Sequence, residues 1–176
     1  IDAPLPPPYT PAAPTPEPVP VYVPGPYASP APYGRRERDW SLTMFGDGEN
    51  REGLQQLIAY LGLESKVKLA GHVAGLDAIW ADHHLLVQSS RFEGMPLSII
   101  EALMAGRPVL ATDVAGHGEV IEDNVTGFLA QTATVGGLQE ALERAWQRQS
   151  ELPNLGKAAA ASIRKLVPED PAAEFA

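Results

Sequence analysis

The 176-residue chain contains no cysteine. That excludes a disulfide framework and a thiolate metal site, and it fits a reducing compartment. Cationic residues are scarce: 13 Lys and Arg stand against 22 Asp and Glu, for a net charge of −9. A general nucleic-acid binder needs clustered cations to meet phosphates, so that class is set aside. No apolar run is long enough to span a bilayer, and the N-terminus lacks the basic-then-apolar order of a signal peptide. The first residue is Ile rather than Met, so the sequence is read as a piece of something longer.

What is abundant at the start is proline. Residues 1–34, "IDAPLPPPYTPAAPTPEPVPVYVPGPYASPAPYG", hold 13 of the 18 prolines and no Lys or Arg. Proline fixes φ and removes backbone donors, so this stretch is expected to be extended, polyproline-like and unpacked. The simple reading is a linker. The sharper one is a ligand for a domain that recognises proline-rich peptides, with Tyr9, Tyr22, Tyr27 and Tyr33 as aromatic contacts. We divide the chain into a Pro-rich segment, 1–39, and a globular domain, 40–176.

The second region alternates between short apolar runs and helical periodicity. Strands are expected at 42–45, 67–73, 84–90, 108–114 and 126–130. Helices are expected at 49–63, 76–83, 96–106, 118–123, 134–149 and 155–167. In the first, Leu54, Leu57, Ile58 and Leu61 have helical spacing; in the third, Pro96 suits a helix start and Gly106 a stop. Apolar strands without strict alternation, joined to helices by short links, predict an α/β fold. Its parallel sheet would be covered by helices on both faces, Rossmann-like in plan. Ligands of such sheets sit at the carboxyl ends of the strands.

Two acids draw attention in "RFEGMPLSIIEALMAGRPVLATD", 91–113. Glu93 follows a strand closely, at the edge where such folds bind ligands, and Gly94 beside it allows a tight turn and close backbone approach. Glu101 lies one to two turns into the next helix, beside the apolar face formed by Ile99, Ile100, Leu103 and Met104. One reading has Ser98 and Glu101 form a capping box, or has Glu101 merely favoured by the helix dipole. Pro96 speaks against it, because a proline at the first helical position would carry Ser98 past the cap. The other reading has both acids hold a polar ligand.

The stretch "SSRFEGMPLSIIEALMAGRPVLATDVAGHGEVIEDNVTGFLA" resembles the nucleotide-sugar-binding half of retaining glycosyltransferases of family 4. These have the GT-B architecture, two Rossmann-like domains facing a cleft. The flanking "WSLTMFGDGENREGLQQLIAYLGLESKVKLAGHV" is similar to the same family's preceding strand, helix and strand. The likeness covers about residues 40–150 and rests on "GDG", "EGMP", "EALMAGRPV" and "TGFLA" in that order.

The resemblance implies roles for matching residues. Glu93 would contact hydroxyls of the donor sugar and steady charge developing at the anomeric carbon. Glu101 would accept hydrogen bonds from the ribose diol, which suits its two oxygens. Gly94, Met95, Pro96 and Leu97 would line the sugar and pyrophosphate region, with backbone N–H groups aimed at the phosphates. His72 and Val73 would meet the base. Gly46, Asp47 and Gly48 would form the turn beside the diphosphate, and His117 is a further candidate contact. No metal and no resident cofactor are implied; the nucleotide-diphosphate sugar is the donor substrate. The implied partners are that donor, a sugar or lipid-linked acceptor, and the amino-terminal GT-B domain, which usually supplies a catalytic His and lies outside this sequence. The implied place is the cytoplasm, at the inner face of the membrane where the acceptor is lipid-linked; no basic amphipathic stretch adds a membrane contact.

The chain departs from the family pattern in two places. Where the family usually has a strand with an Arg and a Lys, this sequence has "YASPAPYGRRERDW". A common Pro ahead of the motif's Ser is Gln88. The expectation is therefore a half-enzyme that transfers little alone. Against it stand an impaired binding or assembly module that docks through its Pro-rich arm, and a nucleotide-sugar epimerase, which would not carry this Glu pair. His83 and His84 read as surface or cap residues, not metal ligands. Trp80 and Trp146 read as packing.

Overall fold

A computed structural model describes residues 38–73, 75–94 and 97–167. Residues 1–37 of the Pro-rich segment, Ala74, Met95, Pro96 and residues 168–176 lie outside these. The chain runs β1 (Leu42–Phe45), α1 (Arg51–Tyr60), β2 (Val67–Gly71), α2 (Leu76–Asp82), β3 (Leu86–Gln88), α3 (Leu97–Met104), β4 (Val109–Thr112), α4 (His117–Val120), β5 (Gly127–Ala130), α5 (Val135–Gln147) and α6 (Leu152–Leu166). Every strand pair is parallel, with β1 beside β2 and β3-β4-β5 in register from Leu86 and Val109 onward. The α/β Rossmann-like plan is the one the alternation predicts.

The core sits in the second half. Along β4, Val109 and Ala111 face one way and pack with Ile99, Ala102 and Leu103 of α3 and Ala159 and Ile163 of α6. Leu110 faces the other way, with Phe128 and Ala130 of β5 and Ala141 and Ala145 of α5. A strand's side chains alternate between faces, so a strand apolar throughout must be covered on both. All four residues of β4 and of β5 are buried.

The helix ends explain why the elements stop where they do. At the end of α3 the Gly106 N–H reaches the Leu103 carbonyl at 3.0 Å and the Arg107 N–H reaches that of Ala102 at 2.8 Å. Gly106 has φ +70°, the left-handed turn that glycine takes at little cost. At the start of α5 the Thr134 hydroxyl accepts from the Gly137 N–H at 3.2 Å, an N-cap. Helix α6 starts at Leu152, three residues earlier than the periodicity predicts, because Pro153 occupies the first turn, where its missing N–H is no loss. A short 3-10 turn, Gln149–Glu151, precedes it.

Helices α3 and α6 meet at glycine. A Cβ on Gly156 would overlap the Gly106 carbonyl oxygen, with Pro108 Cδ 3.3 Å away. Gly156→Ala is therefore expected to push the helices apart and to destabilise the fold by about 1–3 kcal/mol, read as a lowered urea midpoint. An unchanged midpoint would show that this close approach is not required.

On the other face, Arg144 ties α5 to β5. Its guanidinium reaches Asp123 at 2.9 Å, Glu140 at 2.7 Å and the Leu129 carbonyl at 2.7 Å. Burial pulls this group down, but hydrogen bonds and charge from Asp123 and Glu140 outweigh it, so its pKa stands above the ordinary value.

Two findings differ from the sequence-based expectation. The strands form two hydrogen-bonded sheets, β1-β2 and β3-β4-β5, rather than one. Each of β1 and β3 has a strand neighbour on one side only among the described residues. Accordingly, none of residues 38–73, 75 and 78–94 is buried, whereas Ile99, early in α3, is. In the first part of this range β1, α1 and β2 stand as two parallel strands and one helix, which enclose too little volume to shield an apolar side chain from water.

Candidate active site

The carboxyl ends of β3, β4 and the chain beyond β3 bring a polar cluster together. Gln88 is the last residue of β3. The chain turns after it, and Glu93 folds back so that Oε1 lies 2.8 Å from Ser90 Oγ and 3.2 Å from Gln88 Nε2. Gln88 Nε2 also reaches Ser90 Oγ at 3.0 Å. The turn is held to the sheet by Thr112, fully buried at the end of β4, whose hydroxyl donates to the Ser90 carbonyl. Neighbouring parallel strands end together, which is why residues 22 apart meet here.

Glu101 is the fifth residue of α3 and half-buried. The helix opens at Leu97, so Ser98 is its second residue and not its cap. No hydrogen bond runs from Glu101's side chain to the helix start among the described residues. The capping-box reading is thus corrected: Leu97 and Ser98 are already helical, whereas the box needs Ser98 to precede the first helical residue. Glu101's carboxylate has no hydrogen bond or ion pair among the described residues.

At Gly94 the φ is outside the left-handed region and an added Cβ would meet open space, so the backbone beside Glu93 is openly accessible. Phe92 and Leu97 flank this place and are 93% and 73% exposed. Met95 and Pro96 lie outside the described residues.

The "GDG" turn forms a separate hollow of about 240 Å³, lined by residues 44–51, Leu54 and Leu69. Gly46, at φ +101°, donates its N–H to the Gly71 carbonyl at 2.8 Å. Arg51 joins the same hollow, 3.8 Å from Asp47 and 3.2 Å from the Leu69 carbonyl. The sequence reading overlooked Arg51; its signal is the i,i+4 spacing from Asp47 into a helix start. His72 and Val73 follow β2, which ends at Gly71 rather than at 73, and both are exposed. A wider hollow of about 420 Å³ is lined by α5 residues alone and contains none of these candidates.

His117 differs from a surface contact. It is fully buried, its Nδ1–H donates to the Thr112 carbonyl at 2.7 Å, and Nε2 is buried without a partner among the described residues. In this conformation the ring braces the end of β4, because no face of it meets solvent. His83 caps α2, its Nδ1–H 2.7 Å from the Ile79 carbonyl. Trp80 packs against the core, and Trp146 lies under the Arg38 guanidinium at 5.1 Å. Arg38 also pairs with Glu143 at 3.0 Å. Among the described residues no group of three His, Asp or Glu side chains could hold a metal, and no helix is long and apolar enough to cross a membrane.

The described residues form parallel strands joined by helices, with Glu93 folded back over the carboxyl end of β3. The chain belongs to the glycosyl transferases of group 1, whose family model matches residues 30–148. It is 35% identical over 122 residues to an exopolysaccharide phosphotransferase of Streptomyces coelicolor, covering 68% of this chain and 13% of that protein. It is 32% identical over 112 residues to the alpha-D-kanosaminyltransferase of Streptomyces kanamyceticus, covering 62% and 29%. Among solved structures, TarM superposes with a TM-score of 0.68 at 25% identity, over 74% of this chain and 26% of that one. Anabaena HepE in complex with UDP-glucose gives 0.64 at 27% identity, over 71% and 36%. The fold is that of GT-B glycosyltransferases, and the chain spans between 13% and 36% of the length of these proteins.

Proposed function

We propose that this chain is the donor-binding half of a retaining glycosyltransferase of family 4. It would move a sugar from a nucleotide-diphosphate donor to a hydroxyl of a sugar or lipid-linked acceptor, in polysaccharide or glycolipid synthesis, on the cytoplasmic side. The observation that carries this is the state of the two acids: Glu93 is fixed at a strand's carboxyl end, and Glu101 is half-buried with no partner among the described residues. HepE, of the same fold, was crystallised with UDP and with UDP-glucose. Glu101 would accept from the ribose diol. Glu93 would meet the sugar and stabilise positive charge that develops at the anomeric carbon as the nucleotide leaves. Backbone N–H groups near Leu97 and the Gly46–Gly48 turn would face the phosphates.

Transfer would also need the amino-terminal GT-B domain for the acceptor. The lack of any buried residue among 38–73, 75 and 78–94 supports a unit that works packed against more protein. The test is ligand-observed NMR with UDP, GDP, ADP and their sugars. Binding of one nucleotide and its sugar is expected. No binding of any at millimolar concentration would leave the impaired assembly module as the better account.

A further inference from the structure

Glu93 does not offer two equivalent oxygens. Oε1 accepts from both Ser90 Oγ and Gln88 Nε2, whereas Oε2 accepts no hydrogen bond among the described residues. The amide orientation of Gln88 follows from chemistry: an ionised carboxylate can only accept, so the NH₂ group must face it. The three polar atoms close a triangle with sides of 2.8, 3.0 and 3.2 Å, in which the two acceptors lie closer together around Nε2 than its N–H bonds, so the amide's donation is shared between Glu93 and Ser90.

We propose that Gln88 is a positioning residue of the donor site: with Ser90 it fixes Glu93 through Oε1 and so commits Oε2 to the ligand. The inference rests on the donor-site reading above. Glu93 stands on a turn, and a turn alone leaves several rotamers open. A glutamate has three rotatable side-chain bonds, whose ordering costs free energy. Two donors on one oxygen remove that freedom before the ligand arrives, which is preorganisation. Gln88 is suited to this because it ends a strand whose backbone is paired to β4. Ser90 is suited because Thr112 holds its carbonyl. The triangle is therefore anchored to the sheet at both corners.

Because Glu93 would touch the sugar and not the nucleotide, loss of the anchor has a specific signature. Gln88→Leu is expected to weaken binding of the nucleotide sugar about tenfold, the effect of one lost charge-assisted hydrogen bond. Binding of the bare nucleotide should change less than about twofold. A merely structural role would weaken both alike. A readout free of ligand is the Gln88 side-chain amide in ¹⁵N spectra. Its resonances should lie away from those of a free glutamine and move in Ser90→Ala and in Glu93→Ala. The proposal is overturned if those resonances match a free amide and ignore Glu93→Ala. It is also overturned if Glu93→Gln loses the sugar while Gln88→Leu keeps wild-type affinity. If no UDP, GDP or ADP sugar binds at all, the donor-site reading falls, and the amide resonances alone decide whether Gln88 holds Glu93.

Discussion

Glu101→Ala is expected to weaken nucleotide binding by about 10- to 100-fold, with the unfolding midpoint unchanged. The size follows from losing charge-assisted hydrogen bonds, about 1.5–3 kcal/mol. The unchanged stability follows from the structure. Glu101's carboxylate bonds to no described residue, and it is past the first turn of α3, so it gives the helix no cap. Alanine is also the better helix former. A half-buried carboxylate that supports nothing among the described residues can accept hydrogen bonds from a ligand without a cost to the fold. Titration of wild type and variant by ligand-observed NMR, with urea melts of both, separates the outcomes. Equal nucleotide affinity would remove Glu101 from the site. Lost affinity with a lowered midpoint would make it structural.

Much of this arrangement was legible from pattern. β1 was expected at 42–45 and stands there, since "LTMF" is bounded by a Gly-Asp-Gly turn. α3 was expected over 96–106 and runs from Leu97 to Met104, with Gly106 as its stop. Local chemistry decides such features. The exceptions depend on partners distant in sequence. That β1-β2 and β3-β4-β5 would not join into one sheet is a matter of which edges meet. His117 looked like a loop residue at a strand's end, yet it is buried beneath that end, bonded to Thr112 five residues back. Gln88 looked like a minor exchange for proline. Its meaning is visible only once the turn brings Glu93 back over the strand. Arg51 was masked by its place among other charges in "ENRE".

The largest effect on stability is expected from Phe128→Ala. Phe128 is fully buried in β5, among Leu110, Ala130, Ala141, Ala145 and Leu155. Guanidinium groups of Arg144 and Arg148 lie 5.9 Å from its ring centroid. Truncating a buried Phe costs about 3–5 kcal/mol, because the cavity closes only in part. Several neighbours here are alanines, too short to fill it. Domains are stable by about 5–15 kcal/mol, so one such loss is a large share of the total. The control is Phe92→Ala: at 93% exposure its removal should shift stability by less than about 0.5 kcal/mol. The consequence reaches the site through β4, which pairs with β5 on one edge and β3 on the other. Thr112, at the end of β4, holds Ser90 and with it Glu93. Below its lowered midpoint the variant should therefore show the Gln88 side-chain amide shifting toward a free glutamine, as the strand ends loosen. If Phe128→Ala instead melts with the wild type, the core described for β4 and β5 does not hold the sheet together.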